Sequence, residues 1–236
     1  MEGWYARAAP RAGGFRTWTE TGDPSAGGAT LVGVKRLHRP DLWGWSRFDE
    51  GRNLDFNSVF WVQPGGNVAI DPLALEPHDR RHIDSLGGVA TIVITNSDHV
   101  RGAAELAAAT GARVLAPAGE RGRFPIACQG HLADGDEVAT DLVALALDGS
   151  KTPGELALLL GGTTLITGDL VRAHRGGDLD LLPDAKLADR AAALASLRRL
   201  ADLPGVDAVL VGDGWPVFRD GSRALRELVA AAERAA

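Results

Sequence analysis

From about residue 31 the chain alternates short apolar runs with polar breaks. The stretch "NSVFWVQPGGNVAIDP" reads as two strands around a Pro-Gly-Gly turn. "LEPHDRRHIDSLG" reads as a short helix closed by Gly87. "ATIVIT" predicts a buried strand, "VRGAAELAAATG" a helix stopped by Gly111, and "RVLAPA" the next strand. Strand, helix and strand in succession favour a parallel pair. The second half repeats the theme. "DLVALALD" predicts a strand, and "ELALLLGGTTLITGD" a hairpin through its Gly-Gly turn. "LADRAAALASLRRLADL" sets Leu187, Leu194, Leu197 and Leu200 on one helical face. "DAVLVGDGW" predicts a strand leaving through a turn, and "SRALRELVAAAERA" a closing helix. Strands and helices alternate throughout, so the class is α/β with two sheets covered by helices. Residues 1–30 are rich in Gly, Ala, Pro and Thr with little periodicity, and read as an irregular extension to one domain over 31–236.

Composition narrows the function. A net charge of −6 argues against nucleic acid, whose binding needs a basic face. The apolar runs are too short to span a bilayer. "MEGWYARAAPRAGGFRTW" lacks the apolar core of a signal peptide, so a cytoplasmic location is expected. Cys128 is the only cysteine, which excludes an intrachain disulfide and a Cys-rich metal site. Lysine stands only at 35, 151 and 186, so 22 of the 25 basic residues are arginine. A lysine at a turn is therefore informative in this chain.

One chemical pattern recurs. Apolar strands run straight into carboxylates at Asp71, Asp148, Asp169 and Asp213, and the "ITNSDH" stretch adds Asp98 and His99. Asp is an ordinary turn former and helix cap, so each alone means little. Five strand ends doing the same thing point to an edge site of the kind open α/β sheets build. A glycine before Asp169 and before Asp213 is expected to let the chain turn tightly there. Carboxylates brought that close repel one another and need a positive partner. A divalent ion with His99 as nitrogen ligand would serve, and so would Lys151 or Arg101.

The order of these motifs resembles the metallo-β-lactamase superfamily. "ITNSDH" at 94–99, "GSKTPG" at 149–154, "ITGD" at 166–169 and "VGDG" at 211–214 stand where that family has His-x-His-x-Asp-His, Gly-His-Thr-Pro-Gly, Gly-Asp and Gly-His. "IDP" at 70–72 resembles the family's early Ile-Asp strand end. The resemblance implies a four-layer αβ/βα sandwich with its site at one edge. It also implies that the first metal site is lost, since Ile94, Asn96 and Lys151 stand at its three histidine positions. The second site is implied to remain as Asp98, His99, Asp169 and Asp213. The expected function is hydrolysis of a small-molecule ester, lactone, thioester or phosphoester at a single Zn, Mn or Fe ion. Asp98 and Lys151 are the expected catalytic residues, with Lys151 stabilising an oxyanion in place of the lost metal. Asp71 and Asn96 are expected to support the ligands. Arg101 is expected to meet an anionic substrate, and Trp215 to wall its pocket. The alternative is a metal-free, inactive binding module for a small molecule or protein. There Lys151 and Arg101 would pair with Asp98, Asp169 and Asp213 in a closed ion network. His78 and His82 read as a solvated helix face, His131 as structural, Cys128 as a small buried apolar residue, and Trp43 and Trp45 as packing at the sheet edge.

Overall fold

The computed structural model describes residues 33–235, so the extension expected over 1–30 lies outside the described residues. Apolar alternation resolves into two sheets. The first half supplies β1 (Lys35–Arg36), β2 (Leu42–Asp49), β3 (Leu54–Trp61), β4 (Val68–Ile70), α1 (Pro77–Ser85), β5 (Thr91–Val93), α2 (Ala103–Thr110), β6 (Arg113–Pro117) and β7 (Gly130–Leu132). The second supplies β8 (Glu137–Ala139), β9 (Leu142–Leu147), β10 (Glu155–Leu160), β11 (Thr164–Thr167), β12 (Val171–Arg175), β13 (Asp178–Leu181), α3 (Arg190–Ala201), β14 (Ala208–Val211) and α4 (Gly221–Arg234). A seven-stranded sheet runs in chain order from β1 to β7, and a five-stranded sheet runs β14-β11-β10-β9-β8. β12 and β13 form a separate ribbon.

Strand periodicity separates the layers. In β10, Leu156, Leu158 and Leu160 face the other sheet and meet Val68, Ile70 and Val93, while Ala157 faces α3 and α4 with Leu197 and Leu225. On the far side, Ile92 and Phe60 pack against Ile83 of α1 and Leu106 of α2. The sequence of layers is helix, sheet, sheet, helix, as expected. Each fully buried leucine contributes roughly 1.5–3 kcal/mol.

Local signals acted largely as read. β5 and β6 pair in parallel around α2. Gly111 closes α2 with a φ of 72°. Gly161 and Gly162, with φ of 58° and 67°, turn β10 into antiparallel β11. Asp189 caps α3 through the N–H groups of Ala191 and Ala192, so Leu187 lies before the helix, although it still packs on the same core. Trp45 is buried and donates its ring N–H to the Leu73 carbonyl. His82 meets Trp43 edge-on, and His78 pairs with Asp79. Cys128 is only half-buried. No helix among the described residues is long and apolar enough to cross a membrane.

Candidate functional site

Parallel pairing decides where the chemistry collects. β4 and β5 run parallel, as do β11 and β14, so their following loops leave from the same ends. Asp71 follows β4, Asn96 to His99 follow β5, Asp169 follows β11 and Asp213 follows β14. Backbone bonds stitch the two sheets together at this edge. Asn57 N–H donates to Gly212 O at 2.8 Å, and Leu156 N–H to Thr95 O at 2.8 Å. Asp148 does not join the cluster; it is exposed, and its N–H donates to Ser196 Oγ.

The glycines before Asp169 and Asp213 have a different reason from the one expected. Neither has a positive φ. A Cβ at Gly168 would meet Thr95 Oγ1 at 2.7 Å and Asn96 Nδ2 at 2.9 Å, and one at Gly212 would meet His99 Cε1 at 2.7 Å. They are small so that neighbouring site residues can approach the backbone, not so that the chain can turn.

Asp71 anchors the histidine. Its φ of 46° lies in the left-handed region, which Asp tolerates better than most residues. Its Oδ1 accepts the Thr95 N–H at 2.7 Å and its Oδ2 accepts the Thr95 hydroxyl at 2.6 Å. Oδ2 also lies 2.8 Å from His99 Nδ1. That fixes the ring with Nε2 towards Asp169 Oδ2 at 3.6 Å and Asp213 Oδ1 at 3.9 Å.

Asp169 and Asp213 are both buried, and each is met by N–H groups. Asp169 Oδ2 accepts from Asn96 Nδ2 at 3.1 Å and pairs with Lys151 Nζ at 3.0 Å. Lys151 also reaches Asp98 Oδ2 at 2.7 Å. Asp213 is held at both oxygens, by Arg101 at 3.2 Å and by Arg172 at 2.8 Å. Arg101 has a φ of 43°, unusual for a bulky residue, and donates as well to Asn57 O and Gly212 O. Its guanidinium lies 5.3 Å from the centre of the Phe56 ring. The arginine expected to face an anionic substrate is instead turned inward onto Asp213.

His99, Asp169 and Asp213 have ligand atoms within 4.8 Å of one another, close enough to share an ion. The donor set nevertheless fits a metal poorly. Arg101 Nη2 stands 3.1 Å from His99 Nε2 and 3.2 Å from Asp213 Oδ1, and Lys151 takes Asp169 Oδ2. The three atoms that converge in the triad therefore each face a cationic or amide N–H. Asp98, expected as a fourth ligand, stands outside the triad with its side chain 54% exposed. Ile94 is buried in the core.

The charge balance agrees. Four carboxylates (Asp71, Asp98, Asp169, Asp213) face Lys151, Arg101, Arg172 and His99. Burial alone would lower the pKa of His99, but the Asp71 charge and hydrogen bonds to Asp169 and Asp71 push it up to about 9. Arg101 opposes that charge at 3.1 Å, yet one guanidinium is outweighed by three carboxylates within 4 Å. With His99 an imidazolium, its Nε2–H is directed at Asp169 and Arg101 is a neighbouring charge, not a donor to the ring, and four negative groups meet four positive ones. Burial raises Asp169, but the His99 and Lys151 contacts hold it well below the usual carboxylate range. Burial lowers Lys151, but Asp98 and Asp169 reverse this and raise it. Two loose ends remain: Asp169 Oδ1 and Arg172 Nε are buried without hydrogen-bond partners.

Two buried charged residues beside this cluster carried little sequence signal. Arg172 lies in "LVRAH" on β12 and pairs with Asp213. Glu155 opens β10, fully buried, and is pushed up to about 7 by burial and the Asp169 charge. The single charge in apolar "ELALLL" was the available cue for Glu155, while Arg172 shares "VRAHR" with Arg175 and had none. Trp215, expected to wall a pocket, is 58% exposed at the edge just beyond Asp213.

A family model described as the metallo-beta-lactamase superfamily matches residues 34–232. Among solved structures the chain is similar to the DIM-1 metallo-beta-lactamase, at 12% identity and a TM-score of 0.69, over 87% of this chain and 98% of that one. It is similar to FIM-1 from Pseudomonas aeruginosa, solved in a mono-zinc form, at 17% identity and a TM-score of 0.68, over 86% and 96%. A metallo-beta-lactamase family protein from Thermus thermophilus is 20% identical with a TM-score of 0.65, over 84% and 81%. No curated protein matches by sequence. At these identities the structural likeness is one of fold.

Proposed function

The chain belongs to the metallo-β-lactamase superfamily, and from that premise we propose that it works without a metal ion, as a small-molecule binding module whose site is a closed ion network. One observation carries this: the triad spaced to hold an ion has each of its converging atoms in contact with Arg101, Lys151 or Asn96. A divalent ion would add two positive charges to a buried set that is already balanced, and like charges in a dry site repel strongly. Removing metal-bound water removes the usual source of a hydrolytic nucleophile in this fold. His99 and Glu155 are buried, so neither reaches substrate as a base.

The network meets solvent at one point. Asp98 and Lys151 have side chains 54% and 27% exposed, side by side, while Arg101 is 9% exposed and the other members are buried. A carboxylate beside an ammonium offers an acceptor and a donor together. That chemistry suits a ligand with both functions, such as an amide or a zwitterion. The 3.6 Å and 3.9 Å spacings of the triad and the unpartnered Asp169 Oδ1 favour a second reading, a one-ion hydrolase. Elemental analysis of protein purified without chelator, joined to thermal melts with and without chelator, separates the two. The ion-network proposal expects no stoichiometric ion and superimposable melts. A stoichiometric ion whose removal lowers the melting temperature refutes it.

A further inference from the structure

Glu155 is buried at the start of β10, and the binding site proposed above makes no use of it. Its contacts are specific. Oε1 accepts the N–H groups of Asp169 and Leu170, each at 2.7 Å. Oε2 accepts the Ser150 hydroxyl, in the residue just before Lys151. The adjacent Leu156 donates its N–H to Thr95 O at 2.8 Å. Gly168 lies so close that a Cβ there would stand 3.2 Å from Oε1. Three site loops therefore meet on two consecutive residues, and the loops of Lys151 and Asp169 meet on one carboxyl group.

We propose that Glu155 is a positioning residue: its carboxyl group clamps the Ser150 and Asp169 loops and thereby sets the reach of Lys151 Nζ to Asp169 Oδ2. It touches neither partner's charged atoms, so its effect runs through the backbone and Ser150. A space-filling role would be met by leucine, without burying a polar group that needs partners. The carboxyl here has an acceptor for every N–H presented to it, and both of its oxygens are used. The clamp is needed whether the site holds a ligand or an ion, so it stands or falls separately from the metal question.

The chain's three lysines make the test clean. Isotopically labelled lysine gives one ε-methylene resonance each for exposed Lys35 and Lys186, which serve as free references, and one for Lys151. Lys151→Arg assigns the last. Glu155→Gln keeps an oxygen for the two N–H groups and an amide that donates to Ser150 Oγ, so its Lys151 resonance should stay at the parent position. Glu155→Leu breaks all three bonds, and Glu155→Asp cannot span both loops; in each the Lys151 resonance should move most of the way to the references. Glu155→Asp carries the test if Glu155→Leu does not fold, since it keeps the charge and nearly the volume. A folded Leu or Asp variant with an unmoved Lys151 resonance overturns the proposal, and so does a Gln variant displaced as far as these. The chelator melts that decide the metal question are unaffected by any of these outcomes.

Discussion

Arg172→Met tests the ion network at its most buried arginine–carboxylate pair. Arg172 and Asp213 have side chains 7% and 4% exposed and meet at 2.8 Å. Methionine keeps much of the apolar stem and removes only the guanidinium, so little cavity opens. Asp213 Oδ2 is then left buried with no cation. Breaking one partner of a buried pair costs about 3–5 kcal/mol. Arg101 still holds Oδ1 at 3.2 Å, which favours the lower end, about 3 kcal/mol. For a domain of this size that is a fall of roughly 6–12 °C in melting temperature. The assay is urea unfolding followed by tryptophan fluorescence, on parent and variant, each with chelator and with added zinc or manganese. The variant should lose the same stability under every condition. A one-ion site behaves differently: removing a repelling cation lets the ion bind more tightly, and ligand binding to the native state stabilises it. A loss under about 1 kcal/mol, or a loss restored by zinc, refutes the network.

Other expectations follow from the same contacts. Stability should fall as pH rises from about 6.5 through about 9, because His99 takes up a proton on folding and that contribution is lost above its folded pKa; Glu155, raised to about 7, adds a loss of the same sign from about 4.5 upward. Urea midpoints measured at intervals across that range check this, and a midpoint that climbs with pH, as metal binding to a neutral imidazole would produce, contradicts it. Lys151→Met should cost about 1–2 kcal/mol, less than Arg172→Met because the Lys151 side chain is 27% exposed and screened, with chelator making no difference to the melt of either protein. Gly168→Ala should cost roughly 1–3 kcal/mol, since its Cβ would stand 2.7 Å from Thr95 Oγ1 and 2.9 Å from Asn96 Nδ2; a variant as stable as the parent removes the close-approach explanation of that glycine.

The layers were legible because their cause is local. "ELALLL" alternates its faces by strand geometry, and Gly161-Gly162 accepts the positive φ a tight hairpin needs, so sequence neighbours carry the signal. The carboxylates at strand ends were legible for the same reason, and Asp71, Asp169 and Asp213 do converge with Asp98 and His99. What was not legible depends on partners distant in sequence. Arg172 meets Asp213 across 41 positions, and in a strand its charge reads as an outward-facing residue. Asp148 looks like the other strand-end carboxylates and leaves β9 at the same edge, yet its backbone N–H and C=O are held by Ser196 Oγ of α3 and its side chain is exposed. Contacts between a strand-end loop and a helix distant in sequence, which the pattern of apolar residues does not encode, decided which carboxylates entered the site.

The identity of the retained residues now has a physical reason. On the ion-network proposal, a cluster of carboxylates without an ion holds buried negative charge, which must be cancelled or removed. Removing it would mean replacing Asp71, Asp169 and Asp213, and these side chains also carry structure: Asp71 accepts from Thr95, Asp169 from Asn96 and Asp213 from Arg101, the last two across the seam between the sheets. Cancelling it needs only cations on loops that already arrive at the edge. Lys151 comes from the turn before β10, Arg101 from the turn before α2 and Arg172 from β12. Arg101 reaches one oxygen of Asp213 while its fork also serves the Asn57 and Gly212 carbonyls, and Arg172 takes the other oxygen; Lys151 bridges two separate carboxylates, where a compact point charge suffices. In a chain that uses arginine for 22 of its 25 basic residues, the one lysine at the site stands where geometry calls for a bridge rather than a fork.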